Sequence, residues 1–134
     1  MTPDHIELFV PDRAEAVAWY REWLGFAPMP EHAAWAAAGP IMLTCDGGRT
    51  MLALFTGEPQ GSDPTRGWRR LALRAEAAEF LRFRERFRAS GQSLDGPVDH
   101  DKAWSFYFSD PWGNLLEVTT YEYLPVKSRL AAGS

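Results

Sequence analysis

Cysteine, excess positive charge and long apolar runs are what this sequence lacks. Cys45 is the single cysteine of 134 residues, which excludes an intrachain disulfide and favours a reducing, cytoplasmic compartment. The formal net charge of −4 argues against a nucleic-acid partner, because phosphate binding requires clustered Lys and Arg. No apolar run is long enough to cross a bilayer, and the opening MTPDHIELFV lacks the basic and apolar regions of a secretion signal. We therefore expect neither a nucleic-acid nor a membrane partner.

Aromatic residues are plentiful instead, with 6 Trp and 8 Phe in a chain long enough for one domain with a sizeable core. Many of these side chains are expected in that core. A pocket for a flat or apolar small molecule uses the same residue types, so composition leaves both roles open.

The first part of the chain predicts one strand, one helix and three further strands. Residues 4–10, DHIELFV, alternate between apolar and polar side chains as a strand does. Asp12 has the position of a helix N-cap, with Glu15 three residues later, and Gly25 that of the residue that ends the helix. Turn-forming residues then separate three short predicted strands, near residues 33–38, 41–45 and 50–55.

The same order of elements returns after a polar stretch, residues 57–67, which we interpret as a linker. WRRLALRA, residues 68–75, predicts a strand, and EAAEFLRFRERFRAS predicts a helix that ends before Gly91. Three more strands are predicted near residues 93–98, 104–109 and 115–121. The sequence therefore predicts a β-α-β-β-β module twice within a single domain, residues 1–125. The modules cover residues 4–56 and 68–121, and a tail covers residues 126–134.

Side chains alternate between the two faces of a strand, so aligning the modules predicts which residues share a face. One face is uniformly apolar and is expected to pack beneath the helices: Ile6, Leu8, Val10, Leu52, Leu54, Leu71, Leu73, Leu116 and Val118. The opposite face, called the cavity face below, is mixed: His5, Glu7, Phe9, Met51, Ala53, Phe55, Arg70, Ala72, Arg74, Leu115, Glu117 and Thr119. A sheet face that carries both polar and apolar side chains is typical of a concave site. Glu117, an acid inside an apolar strand, is therefore predicted to line a cavity.

The two modules, the opening DHIELFVPDRAEAVAWYREWLGF and the closing FYFSDPWGNLLEVTTY resemble the vicinal oxygen chelate superfamily over residues 3–123. That superfamily includes glyoxalase I, fosfomycin- and bleomycin-resistance proteins and extradiol dioxygenases. The resemblance implies an α+β fold in which the mixed sheets of two βαβββ modules curl around one small-molecule cavity. It also implies a homodimer, and a divalent metal (Fe, Mn, Zn or Ni) held by residues of the first and last strands of each module.

Carried over to this chain, the metal ligands are His5 on the first strand and Glu117 on the last. Ala53 stands where glyoxalase-like members have a glutamate, a change that members with three protein ligands tolerate. Arg70 stands where most metal-binding members have a second histidine. A guanidinium stays protonated in proteins and cannot ligate a metal, so this departure speaks against metal occupancy.

The stretch GPVDHDKAWSFYFSDPWGNLLEV is similar to the extradiol dioxygenases, which place a histidine and then a tyrosine before the final glutamate. Tyr107 matches the tyrosine, and His100 matches the histidine if a two-residue gap is allowed. In those catalytic roles His100 is an acid/base, Tyr107 a hydrogen-bond donor and Glu117 the carboxylate. A surface histidine and a core tyrosine are the plain alternatives.

Two functions follow from these residues. In the first, the protein is a metal-dependent lyase or ring-cleaving dioxygenase in which His5 and Glu117 hold the metal. In the second, it is a metal-free binding protein of the bleomycin-resistance kind, in which Arg70 pairs with Glu117 or holds an anionic ligand. Arg70, Phe9 and Phe55 are the predicted residues for binding the small-molecule substrate or ligand.

Overall fold

A computed structural model describes residues 2–58 and 69–133 of the chain, which divides into two units, Met1–Asp63 and Pro64–Ser134. Each unit contains one four-stranded mixed sheet and helices, with the strands and first helix in the same order. The predicted two-module α+β fold is thus confirmed. The predicted linker, residues 57–67, lies largely outside the described residues. Within the described ranges, no helix is long and apolar enough to cross a membrane.

The first unit begins with strand β1 (His5–Val10) and helix α1 (Arg13–Leu24). Four further elements follow: strand β2 (Ala27–Pro28), a 3-10 helix (Pro30–Ala37), strand β3 (Ile41–Thr44) and strand β4 (Met51–Thr56). The sheet order is β1-β4-β3-β2. The first and last strands are parallel neighbours, and the remaining neighbours are antiparallel.

Helix α1 begins and ends at the predicted capping residues. The Asp12 side chain accepts a hydrogen bond of 3.0 Å from the backbone N–H of Glu15, which has no acceptor within the helix. Gly25 has a φ of 72° and donates its own N–H to the carbonyl of Arg21. A left-handed backbone is least strained at glycine, so the helix ends there.

One predicted strand is wrong. Residues 33–38 do not form a strand, because most of them lie in the 3-10 helix (Pro30–Ala37). Proline fits the first turn of a helix, and the alanine-rich run that follows lacks the β-branched residues that favour strands. The strand that pairs with β3 comes earlier, at β2, where Ala27 lies opposite Thr44.

The second unit repeats the arrangement of the first. Its elements are β5 (Leu71–Arg74), α2 (Ala77–Ala89), β6 (Asp95–Asp99), β7 (Trp104–Ser109), β8 (Leu115–Thr120) and a further helix, α3 (Tyr123–Ala132). The sheet order is β5-β8-β7-β6, and β5 runs parallel to β8. First and last strands therefore pair in both units.

The strand register places side chains on the two predicted faces. His5 lies opposite Met51, and Glu7 lies opposite Ala53, so these residues share the cavity face of the first sheet. On the apolar face, several residues are almost completely buried: Val10, Leu52, Leu54, Leu116 and Val118. Ile6, near the start of the edge strand β1, is 38% exposed and packs less completely than its strand partners.

An aromatic core joins helix α2 to the apolar face of the second sheet. Three phenylalanines on one side of this helix, Phe80, Phe83 and Phe87, contact Phe106 and Phe108 of β7. Ring centroids lie 4.4 Å apart for Phe80 and Phe106, and 5.0 Å apart for Phe87 and Phe108. Such contacts contribute beyond the area they bury, by about 0.5–1.5 kcal/mol each. They fix the helix on one face of the sheet and leave the other face to polar groups.

A matching turn precedes the last strand of each unit. Asp46 accepts hydrogen bonds from Thr44 and from the backbone of Thr50, and Asp110 accepts them from the backbones of Trp112 and Asn114. Gly48 and Gly113 supply the positive φ values, 91° and 95°. Asp46 and Gly48 thus stabilise the first turn in the same way as Asp110 and Gly113 stabilise the second.

Helix α3 covers most of the segment expected to be a tail. Its Val126 is fully buried, and the helix packs against α2. The Glu122 carboxylate just before it accepts a hydrogen bond from the backbone N–H of Ala77, at the start of α2. Trp104 Nε1 donates to the Tyr123 carbonyl at 3.2 Å, and the two rings are stacked. These contacts bind α3 to the second unit.

We predict that Asp110→Ala lowers the free energy of unfolding by about 3 kcal/mol, the order expected when hydrogen bonds to a charged acceptor are removed. Asp110 is 2% exposed and accepts three hydrogen bonds of 2.7–3.0 Å, so the freed donors lose their partner in a buried place. Urea denaturation at neutral pH measures the change. The matched control is Asp46→Ala, where the equivalent turn is more exposed and water can replace the carboxylate. An equal or larger loss in the control contradicts the prediction.

Candidate functional site

His5 lies at the start of β1, and its imidazole is placed between the carboxylates of two near neighbours. The Nδ1 atom is 2.7 Å from Asp4 Oδ2, and the Nε2 atom is 3.7 Å from Glu7 Oε1. The side chain is 38% exposed. His5 is therefore a half-exposed polar residue at a strand start, with two acidic side chains close to its ring.

Most of the remaining cavity face in the first unit is apolar. A buried cluster stands at its centre: Met29, Met42, Met51 and Ala53. Phe55 packs against this cluster, and its ring centroid is 6.0 Å from that of Phe9. Methionine side chains are flexible and polarisable, and they fit ligands of varied shape. The face therefore offers apolar and aromatic surface.

An apolar groove of about 420 Å³ lies between α1, the 3-10 helix and β3. Val17, Ala33 and Ile41 contribute to its walls, and His32 is the one ionisable side chain among the described residues that line it. The His32 ring stacks on Trp35 with centroids 4.2 Å apart. Pockets for small ligands have about 300–1,000 Å³, so the groove has a suitable size but offers little charge.

Three predicted site residues meet on the cavity face of the second unit. The Nε2 atom of His100 lies 2.9 Å from the hydroxyl of Tyr107, a hydrogen-bond distance. The guanidinium carbon of Arg70 lies 4.5 Å from the centre of the Tyr107 ring, a cation–π contact. We call these residues the Arg70–Tyr107–His100 cluster. It combines a guanidinium, an aromatic ring with its hydroxyl, and an imidazole.

Glu117 lies on β8 beside this cluster. In the strand register it is opposite Tyr107 on one side and Ala72 on the other. Opposed residues on antiparallel strands have Cβ atoms about 5 Å apart, so the carboxylate and the phenol belong to one face. The alternation of the strand thus accounts for an acid between the buried Leu116 and Val118.

The ion pair considered between Arg70 and Glu117 does not form among the described residues. The residue of β5 opposite Glu117 is Ala72, and Arg70 lies two residues earlier, before the strand begins. Its guanidinium extends over the Tyr107 ring instead. The version of the binding hypothesis in which Arg70 pairs with Glu117 is therefore corrected. The version in which Arg70 holds an anionic ligand stays a prediction.

The described side chains within either unit do not fit a divalent metal. In the first unit, His5 has carboxylates near it, yet no three His, Cys, Asp or Glu side chains of the described residues converge as a ligand set. In the second, the Arg70 guanidinium lies over the ring of Tyr107, the residue opposite Glu117 on the neighbouring strand, and its positive charge repels a metal ion. A site of two histidines and one carboxylate needs a second imidazole at that position. No metal-dependent step follows from these donors.

Asp99 and Tyr123 are residues of this region that the sequence interpretation missed. Asp99 Oδ1 accepts the backbone N–H of Asp101 at 2.8 Å, and its Oδ2 accepts the Tyr123 hydroxyl at 2.8 Å. Asp99 lies two residues before Asp101, the spacing of an Asx turn, and this turn could have been recognised from the sequence. In the structure Asp101 has a φ of 67°. Tyr123 is 24 residues away from Asp99 in the sequence, so no local sequence pattern predicts their contact.

These hydrogen bonds shift two ionisation equilibria. The pKa of Asp99 is lowered, chiefly by the backbone N–H of Asp101 and further by the Tyr123 hydroxyl. The pKa of Tyr123 is raised, chiefly because its hydroxyl donates to the Asp99 carboxylate. Both shifts favour the pair of an ionised carboxylate and a neutral phenol at neutral pH.

Comparison with known proteins identifies the class. The family model described as Glyoxalase/Bleomycin resistance protein/Dioxygenase superfamily matches residues 2–118, and the chain belongs to this superfamily. The predicted family is thereby confirmed. Among curated proteins, the comparison finds no match.

Solved structures show the same fold. A glyoxalase/dioxygenase from Nostoc punctiforme is similar with a TM-score of 0.70 and 22% identity, covering 88% of this chain and 89% of that one. The antibiotic-binding protein TnmS3 from Streptomyces sp. CB03234 has a TM-score of 0.64 and 25% identity, covering 91% and 97%. The fosfomycin resistance protein FosX from Mesorhizobium loti has a TM-score of 0.65 and 19% identity, covering 94% of each chain.

We predict that the hydrogen bond of Tyr123 stabilises the fold only while the phenol is neutral. Because the pKa is raised in the folded state, this stabilisation is fully present below the ordinary value of 10.0 and is lost as the pH rises through the raised value. Urea midpoints of the wild-type chain and Tyr123→Phe should therefore differ at neutral pH and converge in strong alkali. Ultraviolet titration should show one late-ionising tyrosine that is missing in the variant. A difference that stays constant across this range contradicts the prediction.

Proposed function

We propose that this protein binds a small aromatic anion through the Arg70–Tyr107–His100 cluster and needs no divalent metal to do so. The observation that carries the proposal is the Arg70 guanidinium lying 4.5 Å over the Tyr107 ring, at the position where the resemblance assigns a metal ligand. A permanent cation there favours a negatively charged group and disfavours a metal ion.

The hydrogen bonding of Arg70 supports an anionic ligand. Its Nε atom is shielded from solvent and has no acceptor within the part of the chain that the structure describes. Buried donors are nearly always hydrogen-bonded, and an anionic ligand would supply an acceptor for this one. A carboxylate matches the planar fork of a guanidinium and can accept two of its N–H groups.

The other members of the cluster suit an aromatic ligand with polar substituents. Tyr107 offers a ring edge and a hydroxyl, and the His100 imidazole, bonded to that hydroxyl at 2.9 Å, can donate or accept. Phe9 and Phe55 stay predicted ligand-binding residues, because their paired rings offer an aromatic surface. The similar protein TnmS3 is an antibiotic-binding protein, which supports a binding function for this chain.

The second candidate is the metal-dependent lyase or ring-cleaving dioxygenase, with His5 and Glu117 as metal ligands and His100 and Tyr107 facing the substrate. One observation favours it. The Nδ1 atom of His5 is 2.7 Å from the Asp4 carboxylate, and metal-binding histidines commonly bond a carboxylate through the nitrogen that does not bind the metal. Arg70 opposes this candidate, which is why binding is the preferred proposal.

Binding of 1-naphthoate tests the first proposal. We expect the acid to bind in the presence of EDTA, and Arg70→Ala to weaken binding about tenfold or more, as loss of a charge-assisted hydrogen bond implies. Isothermal titration calorimetry measures both. Arg74→Ala is the matched control, because Arg74 also covers a tyrosine ring, that of Tyr121, at 4.6 Å. The neutral analogue 1-naphthamide should bind equally to the wild-type chain and to Arg70→Ala. Equal losses in the two arginine variants would falsify the assignment of Arg70.

Metal analysis separates the two candidates. We expect protein purified without chelators to contain far less than one divalent ion per chain, because the second histidine is replaced by Arg70. Arg70→His should raise the metal content if that arginine is the obstacle. A stoichiometric metal in the wild-type chain that disappears in both His5→Ala and Glu117→Gln would support the enzyme candidate and overturn the binding proposal.

A further inference from the structure

We propose that Asp99 and Tyr123 are positioning residues that connect helix α3 to the imidazole of His100, so that the C-terminal helix sets the geometry of the ligand-binding cluster. This inference rests on the proposed function for its consequence in binding. Its structural part concerns the ligand-free chain and can be tested alone.

A continuous series of contacts carries the inference. The Tyr123 hydroxyl donates to Asp99 Oδ2 at 2.8 Å, and the next residue in the chain is His100. The backbone N–H of His100 donates to the Ala103 carbonyl at 2.9 Å, which closes the turn between β6 and β7. His100 Nε2 then lies 2.9 Å from the Tyr107 hydroxyl. Each contact restricts the residue that makes the following one.

Asp99 is the branching point of this series. One carboxylate oxygen accepts Asp101 N–H and shapes the turn, and the other accepts the Tyr123 hydroxyl. Asp101 has a φ of 67°, a left-handed conformation that is uncommon for residues other than glycine. The carboxylate therefore restrains the turn that carries His100 from two sides.

Tyr123 in turn has a fixed place. Its ring is stacked on Trp104 with an interplanar angle of 14° and a centroid separation of 5.6 Å. The Lys127 ammonium lies 5.4 Å from the same ring centre. Three residues further along α3, the side chain of Val126 is fully buried and holds the helix in place. The hydroxyl thus projects from a packed element rather than from a mobile end, and it can restrain Asp99.

The consequence concerns the orientation of His100. An imidazole at the tip of a hairpin has several rotamers, and holding one of them costs side-chain entropy when a ligand binds. A turn already restrained by Asp99 and Tyr123 presents His100 in the rotamer that bonds Tyr107. Preorganisation of this kind raises affinity without a contact between the positioning residue and the ligand.

Tyr123→Phe tests the connection, because it removes the hydroxyl and keeps the ring on Trp104. In the ligand-free protein we expect the imidazole ¹H–¹⁵N resonances of His100 to shift. We also expect the further shift caused by Tyr107→Phe to be smaller in the Tyr123→Phe background than in the wild-type chain. Tyr121→Phe is the matched control, since Tyr121 is 61% exposed and lies under Arg74. It should leave the His100 resonances unchanged.

A second variant guards against a general effect on folding. Asp99→Asn keeps a single acceptor oxygen for the two donors, Asp101 N–H and the Tyr123 hydroxyl, and so weakens the connection. It should move the His100 resonances in the same direction as Tyr123→Phe, with the thermal midpoint recorded for each variant. If 1-naphthoate binds, Tyr123→Phe should weaken its binding about threefold, while Tyr121→Phe should not. Unchanged His100 resonances in both Tyr123→Phe and Asp99→Asn overturn the inference. Shifted resonances in a chain that does not bind 1-naphthoate support the positioning role and count against the proposed ligand alone.

Discussion

Parallel pairing between the first and last strand of each unit is the constraint on which the site depends. His5 is placed beside Met51 by this pairing, and Ala72 is placed beside Glu117. A shift of one residue in either pair would turn every side chain to the opposite face of the sheet. Buried residues such as Leu52 and Leu116 make that shift costly, since their apolar area would become exposed. The core therefore determines which polar side chains share the cavity face.

Charge then decides what the shared face can bind. Glu117 alone could take part in a metal site, and its neighbour Tyr107 could assist a reaction there. Arg70 changes the balance because its charge is permanent and its guanidinium is already placed over the Tyr107 ring. The same backbone that presents a metal site in other members of the superfamily here presents a cation. The proposed change of chemistry rests on this one position, where the resemblance implies a histidine and this chain has Arg70.

Local patterns made much of this fold predictable, and the failures have a common physical cause. Asp12 and Gly25 predict the two ends of helix α1, because capping depends on only a few neighbouring residues. Strand alternation placed Glu117 on the correct side of β8 for the same reason. The segment near residues 33–38 was misassigned because a short apolar run fits a strand or a helix, and only the pairing of β2 with β3 excludes the strand. The Arg70–Tyr107 contact was likewise beyond local reasoning, as it depends on a side-chain rotamer.

Helix α3 shows how a segment with a weak local signal can still matter at the site. Its sequence is small and polar, and Val126 is the residue of the helix that becomes fully buried. Its importance comes from particular contacts: Glu122 at the start of α2, and Tyr123 at Asp99. Neither contact follows from composition, because both partners are distant in sequence. The helix also distinguishes the two units, since in the described part of the chain the first unit has no helix after its last strand. The similar strand orders of the two sheets supply a common framework, and α3 gives the turn at His100 a restraint that the strands alone do not provide.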